Sequence, residues 1–211
     1  VFQPRGDGKR QAPTFDVIAP GVAKHEEEIV LAPGAEPAAD PNLVLRVAVA
    51  AAEFGLPIAP GTLRNLKKCP IGDRNWTDES RELFIRLLAS GPALLNVWED
   101  IDFIDVPGKL IPEWLGVRNR PSASAAHRYT IDRHMVEVVT RLGRETPSGG
   151  RYDDRHYEAL LLAGILHDIG KRPGVANHAA EGARHATVVV ERMGFDRDIV
   201  RWVTLLVREH L

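Results

Sequence analysis

The stretch Ala163-Gly-Ile-Leu-His-Asp-Ile-Gly-Lys171 sets an adjacent His167 and Asp168 at the end of an apolar run. That run, Ala159-Leu-Leu-Leu-Ala-Gly-Ile-Leu166, is apolar on every side and made mostly of helix formers, which predicts a buried central helix stopped by Gly170. A helix carries partial negative charge at its C-terminal end, so a cation held by side chains of the last turn is favoured there. A buried carboxylate is costly alone and tolerable as a ligand, so the His-Asp pair points to a metal. The plain alternative is a capped helix end with an ionisable pair and no ion.

The other histidines extend this reading. His134 lies in Thr130–Gly143, where Ile131, Met135, Val138, Val139 and Leu142 repeat at helical spacing and Gly143 closes the segment. It is one turn from both Ile131 and Val138, so it faces inward. A third helix starts at Asn177 as cap, with His178 in its first turn, and a fourth, capped by Asp196, carries Ile199, Val203, Val207 and His210 on one face. Imidazoles and carboxylates projecting from facing helices are how bundles build metal sites.

In that order, His134, His167-Asp168, His178 and His210 resemble the metal-dependent phosphohydrolase superfamily named for its His-Asp pair, the HD superfamily. The runs His127-Arg-Tyr-Thr-Ile-Asp-Arg-His134, Leu166-His-Asp-Ile-Gly-Lys171 and Leu206-Val-Arg-Glu-His-Leu211 narrow the match. They resemble the hydrolase domain of the bifunctional uridylyltransferase/uridylyl-removing enzymes, which modify the PII nitrogen-signalling protein. Upstream, Glu28-Ile-Val-Leu-Ala-Pro and Asp40-Pro-Asn-Leu-Val-Leu-Arg-Val-Ala are similar to the stretch joining transferase to hydrolase in that family.

The resemblance implies an all-α fold, an HD-domain helical bundle with a short irregular or β-hairpin N-terminal appendage. Residues 1–39 would be the remnant of the linker from the nucleotidyltransferase region, and 40–211 the helical region, with the hydrolase core from about 117 to 211. It implies one or two divalent ions, manganese or magnesium foremost, with iron or zinc also compatible. His134, His167 and Asp168 would hold the first, with His178 and His210 serving a second; His127 would be a proton donor or phosphate ligand, and Lys171 would meet a phosphate oxygen or simply favour the helix end. Such ions activate water and neutralise phosphoryl charge, and a tyrosine phenolate of pKa about 10 is a good leaving group that needs little acid. The implied reaction is removal of UMP or AMP from a tyrosine of the PII protein, in the cytoplasm, with glutamine as effector of the full-length family enzyme.

Alternatives remain open: an HD-type nucleotide or alarmone phosphohydrolase, or a catalytically silent regulatory helical domain. The Gly-Ser pair and closely spaced acids that the family's transferase half needs do not occur, so the transfer reaction is not expected from this chain. The family's motif set closes with one more aspartate beyond the given sequence. A protein ending at Leu211 is therefore expected to fold but be nearly inactive. The start at Val1 rather than Met suggests a fragment.

Composition is compatible and less specific. In 211 residues, 44% are hydrophobic, enough for one good core. A net charge of -2 and a pI near 6.5 leave no basic stripe to neutralise phosphates, so nucleic acid is not an expected partner. One cysteine, Cys69, excludes an intramolecular disulfide and fits a reducing compartment. No apolar run approaches the roughly 20 residues needed to span a bilayer.

Along the chain, Phe15–Ala19 and Glu28–Ala32 are expected to pair as a minor hairpin, and 32–41 reads as a linker. Asp40 as cap and Pro41 open a helix ending at Gly55; Thr62–Lys68 forms a short helix; Thr77 caps one carrying Leu83, Phe84, Leu87 and Leu88; Ala93–Ile104 forms another. Trp76, Trp98, Trp114 and Trp202 read as packing residues. His185 is expected at the surface or behind the ligands, and His25 and His156 in solvent.

Overall fold

In the computed structural model, which describes residues 14–72, 76–121, 129–143 and 153–210, helices stack behind one small N-terminal sheet. The helices are α1 Leu43–Phe54, α2 Pro60–Leu66, α3 Asp78–Leu88, α4 Ala93–Phe103, α5 Val106–Leu110, α6 Ile131–Leu142, α7 Asp154–Leu166, α8 His178–Arg192 and α9 Arg197–Arg208. Two 3-10 turns, Pro37–Ala39 and Pro112–Gly116, link them.

Several helices start where hydrogen-bonding chemistry says they should. Thr77 accepts from the Ser80 amide while Ser80 Oγ accepts from the Thr77 amide, a reciprocal capping box. Asn177 accepts from the amide of Ala180, and Asp196 from those of Asp198 and Ile199. Asp40 does not cap α1 directly: its carboxylate accepts from the Asn42 amide and pairs with Arg46, and the helix begins at Leu43. Gly55 ends it in the left-handed conformation, φ 64°.

The sheet differs from the expected hairpin. β1 (Asp16–Ala19) and β3 (Glu28–Leu31) do not pair with each other; β2 (Val22–His25) lies between them, antiparallel to both, with Ala23 opposite Val17 and Val30. The intervening strand is only four residues long and its Lys and His obscure the alternation, so periodicity could not reveal it. Gly21, at φ 75°, and Glu26, at φ 52°, make the two reversals. Val22 and Ile29 are fully buried in the same apolar cluster as α1, so the sheet is packed onto the bundle.

α7 occupies the centre, touching α3, α6, α8 and α9, which is why it is apolar all round from Ala159 to its end. Its end corrects the reading of Gly170. The helix finishes at Leu166, with His167 in the cap position, four residues earlier than the glycine. Gly170 instead allows backbone to approach backbone: a Cβ there would lie 2.3 Å from the amide nitrogen of Gly182 and from the carbonyl oxygen of His178. The loop after α7 is thereby pressed onto the first turns of α8. Thr187 and Thr204, with hydroxyls 2.7 Å apart, join α8 to α9 on the far side.

Gly170→Ala is expected to cost about 1–3 kcal/mol or more, because the obstruction is main chain rather than a flexible tip. Gly61→Ala in α2 is the control, since its Cβ would meet only the Arg64 guanidinium at an ordinary 3.7 Å. Urea unfolding of both variants checks this; equal midpoints would contradict the close-approach account.

Candidate metal centre

Four segments converge on Asp168. His134 comes from the first turn of α6, His167 from the end of α7, Asp168 from the loop that follows, His178 from the first position of α8 and His210 from just beyond α9. Local signals place two of them: Asn177 fixes where α8 begins and Asp196 sets the phase of α9, whereas α6 starts at Ile131 without a side-chain cap. Ile199, Val203 and Val207 bury the face that leads to His210.

Asp168 is 2% exposed, and its carboxylate is the hub. Its Oδ2 lies 3.4 Å from His167 Nε2 and 3.9 Å from His134 Nε2, and its Oδ1 lies 3.3 Å from His210 Nε2. Two triads result, His134/His167/Asp168 and Asp168/His178/His210, with the potential ligand atoms of each within 4.8 Å of one another. The sequence-predicted set thus comes together with Asp168 shared between its halves.

The imidazoles are oriented as ligands. His167 Nδ1 donates to the Gly164 carbonyl at 2.8 Å, and His210 Nδ1 to the Val207 carbonyl at 2.7 Å, which turns each Nε2 toward Asp168. Asp168 Oδ1 and the Nε2 atoms of His178 and His210 are buried without a hydrogen-bond partner. Buried polar atoms are rarely left unmet, and three pointing into one space fit a cation that accepts several lone pairs.

Electrostatics agree with this. Burial alone would raise the Asp168 carboxyl, but the hydrogen bond and charge of His167, joined by Lys171, hold it well below the usual carboxylate range. Burial, reinforced by Lys171, pushes His178 down against the pull of Asp168, favouring its neutral form. Lys171 Nζ reaches Asp168 Oδ2 at 2.7 Å and lines the cleft in front of the histidines. That cleft, about 760 Å³, has a polar floor of His134, His167, Asp168 and His210 and apolar walls including Val138, Leu160 and Leu205.

Comparison with known proteins comes from sequence. No family model matches the chain. It is 39% identical over 197 residues, 92% of its length, to the bifunctional uridylyltransferase/uridylyl-removing enzyme of Streptomyces coelicolor. It is 38% identical over 192 residues, 90% of its length, to the enzyme of the same description in Mycobacterium tuberculosis, and 33% identical over 81% of its length to that of Corynebacterium glutamicum. The chain belongs to this enzyme family. It spans about a quarter of the length of the curated relatives it matches, 23% to 24%.

His127 lies outside the described residues. His185 departs from the surface expectation: it is 9% exposed and bonds Glu181 at 3.0 Å, away from both triads. It lies two turns along α8, where Glu113 of the Pro112–Gly116 turn is among its electrostatic neighbours. His156 does stay at the surface, stacked on Trp202 at 4.2 Å, and His25 is bound to the Thr14 carbonyl. Sequence reasoning also missed Arg172 and Glu113. Arg172 donates to the Glu113 carbonyl at 2.8 Å and occupies the space a Cβ on Gly116 would need, while Glu113 forms a two-pronged pair with Arg192. These contacts tie the Asp168 loop to the turn before α6; the only signal was an arginine next to the motif.

A pH consequence follows from Asp168. Its folded value is depressed, so its contribution to stability is present above the ordinary value of about 3.9 and is lost as pH falls through the lower folded value. In metal-free protein, the stability of wild type should therefore fall below that of its own neutral-pH value more steeply than Asp168→Asn does under about pH 4. Denaturant midpoints measured on both across this range test it; parallel curves would contradict the charged, paired state of Asp168.

Proposed function

We propose that the Asp168 cluster is a divalent-metal centre of the HD type, and that it hydrolyses the phosphodiester joining UMP or AMP to a tyrosine of a PII signalling protein. The single observation that carries this reading is the buried Asp168 carboxylate shared between two imidazole sets, His134/His167 and His178/His210, in a chain similar to the uridylyl-removing enzymes. When bound, one or two ions would activate a water and neutralise phosphoryl charge.

The remaining roles belong to this chain. His134, His167 and Asp168 hold the first position, and His178 and His210, with Asp168, the second. The Nδ1 bonds of His167 and His210 to main-chain carbonyls keep their rings from rotating. Lys171 holds Asp168 Oδ2, the oxygen nearest His134 and His167, and sets a positive charge at the cleft where a phosphoryl oxygen would lie. Because the departing phenolate has a pKa near about 10, proton delivery is a small part of the barrier. No described helix is long and apolar enough to cross a membrane.

The test is release of nucleotide from nucleotidylated PII protein, with manganese or magnesium added. Assayed in a protein extended through the helices that follow in the family, wild type should release UMP or AMP and Asp168→Asn should release none above background. Lys171→Ala should lose about 10- to 100-fold, the usual cost of removing a group that orients a metal ligand. Hydrolysis of free nucleotides with modified PII protein left intact, or bound metal with no turnover, would overturn the proposal.

A further inference from the structure

Asp168 and Arg172 are the two ends of one tightly turned run. The Ile169 amide donates to the Leu166 carbonyl at 3.0 Å, the Lys171 amide to the Asp168 carbonyl at 2.9 Å and the Arg172 amide to the Gly170 carbonyl at 2.8 Å, so a shift at one end is passed to the other. The middle of the run is pressed against α8 through Gly170. Its far end is fixed by Arg172, whose side chain crosses to Glu113, 59 residues earlier.

That seat is close-fitting. Arg172 Nη2 donates to the Glu113 carbonyl at 2.8 Å, and the guanidinium lies over Gly116 so closely that a Cβ there would stand 2.5 to 2.9 Å from its Nε, Cζ and Nη2. A planar fork can rest on bare backbone in this way, and a lysine ammonium cannot. The turn beneath is itself held from two helices. Trp114 is 1% exposed and packs on Trp98 of α4 with ring centroids 5.3 Å apart, and the Glu113 carboxylate accepts from both prongs of Arg192 of α8, at 2.9 and 2.6 Å.

Charge and position make opposite demands at Arg172. A fixed positive charge in the loop that offers Asp168 to a cation weakens cation binding by repulsion. A tether strengthens it, because the ligand is ordered before the ion arrives. We infer that Arg172 is a positioning residue of the metal centre, acting through its seat on Gly116 and the Glu113 carbonyl to hold Asp168 where the two imidazole pairs converge. The inference rests on reading the Asp168 cluster as a metal site.

Manganese alone is the probe, titrated into the protein extended through the helices that follow in the family while the free ion is followed by electron paramagnetic resonance. Arg172→Ala should bind it about tenfold more weakly or worse, the usual cost of losing a group that orients a metal ligand. Arg172→Lys, which keeps the charge, should not restore the affinity. Gly116→Ala changes neither a ligand nor a charge; it should weaken binding on its own, and by less than about twofold in the Arg172→Ala background, where the guanidinium it displaces is already gone. Arg172→Lys and Gly116→Ala keep the test open should Arg172→Ala not fold. Urea midpoints of the metal-free variants separate the roles, since a contact that serves stability alone would lower the midpoint and leave the affinity of the folded protein unchanged. Manganese affinity in folded Arg172→Ala equal to or above that of wild type, restoration by lysine, or the same Gly116→Ala penalty in both backgrounds would overturn the inference and leave the metal reading standing. A wild type that binds no manganese would remove both.

Discussion

A carboxylate buried to 2% exposure must be surrounded by groups that favour its charge, and Asp168 is the point where the fold meets that demand. Imidazoles arrive from three other elements and Lys171 from its own loop. None of this is possible unless the loop after α7 can lie against α8 at main-chain distance, and that is what the facing glycines, Gly170 and Gly182, allow. Packing and chemistry are therefore one constraint here. The same glycine pair that compacts the helices brings His178 into range of Asp168.

The surrounding structure holds this arrangement from both sides. Behind the site, apolar α7 is enclosed by α3, α6, α8 and α9, so its C-terminal end has little freedom to move. Beside it, Arg172 reaches over Gly116 to the Glu113 carbonyl, and the Glu113–Arg192 pair locks that turn to α8. In front, the cleft is left open, with its polar groups at the base and aliphatic side chains along the walls. A rigid base under an accessible cleft is the arrangement expected for binding energy to be spent on orientation rather than on ordering the protein.

Much of this was written legibly in the sequence. Asn177, Asp196 and Thr77 announce their helices because a short polar side chain before a periodic segment has one good use, to accept the first amides. The His-Asp pair and the inward phase of His134 were readable because helical period fixes which residues share a face. Less legible were features that depend on tertiary contact. β2 is too short for alternation to register. Gly170 looked like a helix stop because a glycine's need for space is set by a neighbour 12 residues away, and the burial of His185 was hidden because Arg172 and Glu113, which act on it, come from other parts of the chain. Cys69 is buried, and burial pushes its thiol up to about 11.

The most direct measurement is metal content. Wild-type protein and Asp168→Asn, purified side by side without chelators and dialysed against the same manganese buffer, would be analysed for bound metal per chain. The account predicts one or two ions in the wild type and essentially none in the variant, with both proteins folded. A metal-free wild type, or equal metal in the two, would contradict the claim that the fold is organised around a shared metal-binding carboxylate.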